Sequence, residues 1–155
     1  HQNRYRYNVD ITSTWNFPLT CDRLESLTIS GVTSKFTQFS DLLKKYPTVK
    51  IFHFQFKETF PRVRILNRND CSIISQAFPL LEKILFETTA VDVVVAIEMF
   101  RSLKYFHCSF FVPKTKVNIE FDRLVRSLNS WSLTKTTFRR IHQTVQLTVE
   151  GNRCT

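Results

Sequence analysis

Apolar residues recur at one fixed spacing in five stretches of this chain. Cys21-x-x-Leu24-x-x-Leu27-x-Ile29, Tyr46-Pro-x-Val49-x-x-Phe52-x-Phe54, Phe78-Pro-x-Leu81-x-x-Ile84-x-Phe86 and Phe100-x-x-Leu103-x-x-Phe106-x-Cys108 share the pattern apolar-x-x-Leu/Val-x-x-apolar-x-apolar, and Val125-x-x-Leu128-x-x-Trp131-x-Leu133 follows it more loosely. The closing alternation predicts a short strand in each copy. Leu27, Ile29, Phe52, Phe54, Ile84, Phe86, Phe106 and Cys108 would then point inward, because successive strand side chains fall on opposite faces. The segments between copies have helical spacing instead. Phe36, Phe39, Leu42 and Leu43 make one stripe that Tyr46 and Pro47 end, and Ile73, Ile74, Ala77 and Phe78 make another, with Asp70 or Ser72 as N-cap and Pro79 as terminator. Further helices are expected over 91–100 and 119–125.

A strand and a helix repeated every few tens of residues predict an α/β solenoid, with a parallel strand panel on one face and helices on the other. The anchoring Leu/Val positions are separated by 25, 32, 22 and 25 residues, and the long second interval holds an insertion over 59–69. One repeat domain over 1–155 is expected: an N-terminal cap over 1–20 that includes a strand, about five irregular repeats over 21–133, and a C-terminal cap over 134–155 with a closing strand from Thr144 to Asn152. The alternative is a non-repeat α+β domain. The first residue is His rather than Met, so an excised fragment of a longer chain is expected.

The spacing resembles the leucine-rich repeat, most closely at Pro47-Thr-Val49 and Pro79-Leu-Leu81. The Asn or Cys that ends such a repeat is replaced by Val32, Lys57, Thr89 and Phe111, and Asn152 alone matches. Irregular, Phe-rich repeats of this kind are similar to the substrate-receptor repeats of F-box proteins. The resemblance implies recognition of targets for a ubiquitin-ligase adaptor.

Composition narrows the chemistry. With 15 Phe and a hydrophobic fraction of 43%, the chain has the aromatic content of a folded domain. Two glycines cannot build a Gly-rich phosphate loop. Four separated cysteines without a C-x-x-C pair, and no glycosylation sequon, favour a reduced chain in the cytoplasm or nucleus. The apolar run over 90–99 is interrupted by Asp92 and Glu98 and is too short to span a bilayer.

The residues beside the inward positions form a panel for a protein partner: Lys50, Ile51, His53, Lys83, Leu85, Lys104, Tyr105 and His107. Apolar and aromatic groups among charges are what an interface centre prefers. A net charge of +9 admits a second class of partner, nucleic acid. Arg62, Arg64, Arg68, Arg139 and Arg140 are the candidate contacts to phosphate or to an acidic partner, with Arg62–Arg68 as a short edge strand. No catalytic group, metal or cofactor is expected, and neither a membrane nor a small-molecule substrate. His53 and His107 would lie two strands apart, about 10 Å, too far to share a metal. Cys71 follows Asp70 near an expected helix start, and that adjacent carboxylate works against activation of the thiol by the helix dipole.

Overall fold

Leu27 pairs with Phe52, Phe52 with Ile84 and Ile84 with Phe106 across parallel ladders, so equivalent positions of four copies of the pattern fall into one row. The computed structural model describes residues 6–10, 23–31, 43–56, 68–89, 97 and 100–154. They form strands β1 (Arg6–Asp10), β2 (Ser26–Gly31), β3 (Ile51–Phe56), β4 (Lys83–Thr89), β5 (Tyr105–Pro113), β6 (Trp131–Ile141) and β7 (Thr144–Arg153), in the order β1-β2-β3-β4-β5-β7-β6. Helix α1 (Arg68–Ala77) precedes β4, and a 3-10 turn over Lys114–Lys116 leads into α2 (Val117–Ser127).

The expected leucine-rich-repeat-like solenoid is not what the chain forms. The seven-stranded sheet is mixed: β1 to β5 run parallel, while β7 is antiparallel to both β5 and β6. Among the described residues there are two α-helices, one between β3 and β4 and one between β5 and β6. The fifth copy departs most. Its strand, β6, lies at the sheet edge, separated from β5 by β7. The hairpin explains why. The two-residue link His142–Gln143 joins β6 to β7, and so short a connection permits only antiparallel pairing. Strand β7 offers Val145, Leu147 and Val149 in strict alternation, all buried, whereas β6 is exposed along most of its length. The strand with the better apolar face takes the inner place.

Helix α1 begins at Arg68, so Asp70 and Ser72 lie inside it rather than capping it, and Arg68 belongs to a helix rather than an edge strand. Arg62, Arg64, the helix expected over 36–43 (apart from Leu43) and most of that over 91–100 lie outside the described residues.

Each strand from β3 to β6 is entered through the same turn. Val49 N–H donates to Tyr46 C=O, Leu81 to Phe78, Leu103 to Phe100 and Leu128 to Val125, at 3.2–3.3 Å. Pro47 and Pro79 occupy the second position of two of these turns, where their fixed φ is already correct. Past the turn, one carbonyl serves two amides of the next unit. Glu25 O accepts from Lys50 and Ile51, Lys50 O from Glu82 and Lys83, and Glu82 O from Lys104 and Tyr105, at 2.8–3.0 Å.

The core lies on one face of the sheet. Phe52, Phe54, Phe78, Phe86, Phe106 and Phe110 are fully buried, and Phe52 meets Phe78 and Phe54 with ring centroids 5.1 and 5.9 Å apart. Burial of each such ring is worth about 1.5–3 kcal/mol. Helix α1 adds Cys71, Ile74 and Ala77 to this core, and α2 adds Leu124. Both helices therefore pack on the same side.

The inward row ends at a glycine. Gly151 of β7 lies opposite Phe106 and Leu133, and a methyl group there would stand 2.8 Å from Phe106 Cε1 and 3.1 Å from the Ser132 carbonyl oxygen. Gly151→Ala should therefore destabilise the fold by about 1–3 kcal/mol. Thermal denaturation should show Gly151→Ala costing less in a Phe106→Leu background than in the wild type, because that background lacks the ring edge that the methyl meets.

Candidate functional site

Because the core fixes the inward rows, the remaining strand positions form aligned rows on the opposite face. One row runs Ser26, Ile51, Lys83, Tyr105, Asn152, and the next runs Thr28, His53, Leu85, His107, Glu150. Six sequence-identified residues thus come together on neighbouring strands: Ile51, His53, Lys83, Leu85, Tyr105 and His107. Adjacent members are spaced by about 4.8 Å. No described helix covers this face, since α1 and α2 pack against the core.

Lys50 and Lys104 sit elsewhere, one residue before β3 and β5. They line an open cleft of ≈ 880 Å3 with Leu80, Glu82, Arg101 and Arg153. Lys104 Nζ lies 3.4 Å from Glu82 Oε1 in an exposed pair. Such pairs contribute little stability in water. Arg139 and Arg140 are exposed on β6 and, as consecutive strand residues, project to opposite faces.

The outward face carries a polar network that the repeat pattern did not reveal. His107 Nδ1–H donates to Glu150 Oε1 at 2.8 Å. A carboxylate can only accept, so in the neutral ring the lone pair belongs to Nε2. Beyond it, Gln146 Nε2 donates to Ser109 Oγ at 2.9 Å, and Ser109 Oγ lies 3.1 Å from Thr148 Oγ1. Ser109 is only 5% exposed, and these partners satisfy its hydroxyl. The missed residues had a signal in the sequence: Gln146, Thr148, Glu150 and Asn152 are the polar half of the alternation in β7.

Burial raises the Tyr105 phenol above its ordinary range, and the negative charge of Glu150 and a hydrogen bond to that carboxylate raise it further. The buried Cys108 thiol is also pushed up, chiefly by loss of solvent and secondarily by Cys71. A thiol held protonated in the core is no nucleophile. Among the described residues, no three His, Cys, Asp or Glu side chains gather as a metal site would require, and no helix is long and apolar enough to cross a membrane.

No protein-family model matches the chain, and no curated protein matches it. Among solved structures, an uncharacterized protein from Listeria monocytogenes serotype 4b aligns with 97% of this chain at 10% identity and a TM-score of 0.37. The chain spans 62% of that protein's length. A likeness of this size carries no argument about fold or activity.

The Tyr105 shift has a definite sign. The folded chain holds this proton to higher pH than the unfolded chain, so its contribution to stability is complete below pH 10.0 and is lost as pH rises through the folded value. The difference in phenolate absorbance between the wild type and Tyr105→Phe should show a midpoint above 10.0. Glu150→Gln should lower that midpoint without returning it fully, because burial is the larger cause. A midpoint at or below the ordinary phenol value would contradict this environment.

Proposed function

We propose that the chain is a non-catalytic interaction module that docks a protein partner on the outward face of its sheet. The observation that carries this reading is the alignment of Ile51, Leu85 and Tyr105 in two adjacent rows, surrounded by Lys83, His53, His107 and Glu150, on a face that no described helix covers. An apolar and aromatic centre inside a polar perimeter is the anatomy of a protein interface. The hydrogen bond between His107 and Glu150 holds two polar side chains in place before a partner arrives, which lowers the ordering cost of binding. Recognition of substrates for a ubiquitin-ligase adaptor is the finer form of this proposal, and it draws on the sequence resemblance alone. The nucleic-acid alternative has less support, because Arg139 and Arg140 face opposite ways and do not build one cationic surface with the rows.

Affinity capture from an extract of the source cells, compared across variants, tests the proposal. Leu85→Ala/Tyr105→Ala should reduce recovery of the specific partner by at least about tenfold, since truncating anchors at an interface centre costs roughly 2 kcal/mol or more. Ile119→Glu, at a position 68% exposed on α2, should capture it as the wild type does. Equal recovery by the wild type and the double variant, or no specific protein with either, would remove the sheet face as a docking surface.

A further inference from the structure

We infer that the cleft at the N-terminal ends of β3, β4 and β5 binds an acidic peptide segment bearing an apolar side chain. This goes beyond the outward-face reading and does not depend on it. The ten residues lining the cleft include four cations, Lys50, Arg101, Lys104 and Arg153, and one carboxylate, Glu82, for a net charge of +3. Its volume of ≈ 880 Å3 lies within the span of ligand pockets, about 300–1,000 Å3.

The four cations are not equivalent. Arg153 is fixed: Nε donates to Leu103 O at 2.7 Å, Nη2 donates to Phe100 O at 3.1 Å, and the guanidinium lies 4.5 Å from the centroid of the Trp131 ring. Its charge is set in the cleft wall before any ligand arrives. Lys50, Arg101 and Lys104 are exposed and can move onto an anion.

Leu80 indicates the apolar half of the ligand. In the turns before β3 and β5, the equivalent residues are Thr48 and Ser102, whose hydroxyls donate to Leu24 O at 2.8 Å and Leu81 O at 2.6 Å. Leu80 cannot make that bond and is 50% exposed beside the cations. An apolar side chain there contributes nothing to the repeated hydrogen bonding, but it does offer a partner side chain somewhere to pack. A peptide suits this surface better than a polynucleotide does. None of the ten lining residues is aromatic, so bases would find no stacking platform, and Glu82 would repel a continuous phosphate backbone. Separate carboxylates can avoid Glu82 and still reach the cations.

Fluorescence anisotropy of the full chain with labelled peptides tests this. The probes are an octapeptide of glutamates around a central leucine, its Gln-for-Glu counterpart, its Ser-for-Leu counterpart and a single-stranded DNA of equal charge. The acidic leucine peptide should bind, each counterpart should bind about tenfold more weakly, and raising NaCl from about 50 mM to about 500 mM should weaken binding as the charges are screened. Lys50→Glu/Arg101→Glu should lose about tenfold because like charges would then face each other. Leu80→Ser should weaken the leucine peptide and leave the Ser-for-Leu peptide unchanged. Leu85→Ala/Tyr105→Ala should bind like the wild type, which separates this cleft from the sheet face. Equal affinity for the Gln peptide, tighter binding of DNA, no binding of any probe, or wild-type affinity in Lys50→Glu/Arg101→Glu would overturn the inference.

Discussion

Register is the constraint on which the rest of this molecule depends. Leu27, Phe52, Ile84 and Phe106 pair in one row, and Ile29, Phe54, Phe86 and Cys108 in the next. All are fully buried. Because strand side chains alternate with a period of two, sliding any strand by one residue would turn its whole set of large apolar groups to water. At about 1.5–3 kcal/mol for each large side chain, that slip is far more costly than any surface interaction could offset. The outward rows inherit their alignment from this arrangement. His107 lies opposite Glu150 because Phe106 lies opposite Gly151 and Cys108 opposite Val149.

Local hydrogen bonding supports the same register from the end where the chain enters the sheet. A shared turn delivers each of β3, β4 and β5 at the same height, and a carbonyl that accepts two amides of the following unit joins them. Thr48 and Ser102 add a hydroxyl donor to the anchor carbonyl of the neighbouring unit. No further parallel strand follows β5, so Leu103 O has no such hydroxyl to accept from. Arg153 reaches back from the antiparallel hairpin and supplies the donor. Its backbone N–H also donates to Lys104 O at 2.9 Å, which continues the ladder across the change of strand direction. A residue that looks like surface charge in the sequence thus completes the hydrogen bonding of the last parallel strand.

The elements best marked in the sequence were those whose period is enforced by burial. The nine-residue pattern located β2 to β5 because each apolar position in it has a core to fill, and Leu128 and Trp131 of the looser copy are buried as well. Helix α2 was legible from Ile119 to Val125, although Ile119 and Val125 are both exposed and the buried anchor is Leu124. The antiparallel direction of β7 was not legible. It is decided by a two-residue link at His142, which adopts a positive φ of 56°, and by competition between β6 and β7 for the place beside β5. Neither effect appears in a pattern that scores each copy separately. Of the expected surface residues, those on strands fell into rows because alternation is a backbone property. Lys50 and Lys104 precede the strands and went to the cleft. The contributions of Arg153 and Arg101 come from chain segments that meet only in three dimensions, so no spacing could have announced them.

The part of the chain that departs from the repeat contributes to both candidate surfaces. Strand β7 places Glu150 on the outward face against His107 and, three residues later, sends Arg153 to the cleft over Trp131. The alternation that separates these two side chains also directs Gly151 at Phe106, where any side chain would collide. The hairpin can approach β5 only because that position is a glycine, so the seat of Gly151 supports the core, the polar network and the fixed cation together. Most local choices along the parallel strands agree with the fold, as expected where each residue serves packing. Leu80 does not. It occupies a hydroxyl position, makes no equivalent bond and stands half-exposed beside three exposed cations. A residue that breaks a local rule without a packing return is where a function unrelated to stability is most economically sought.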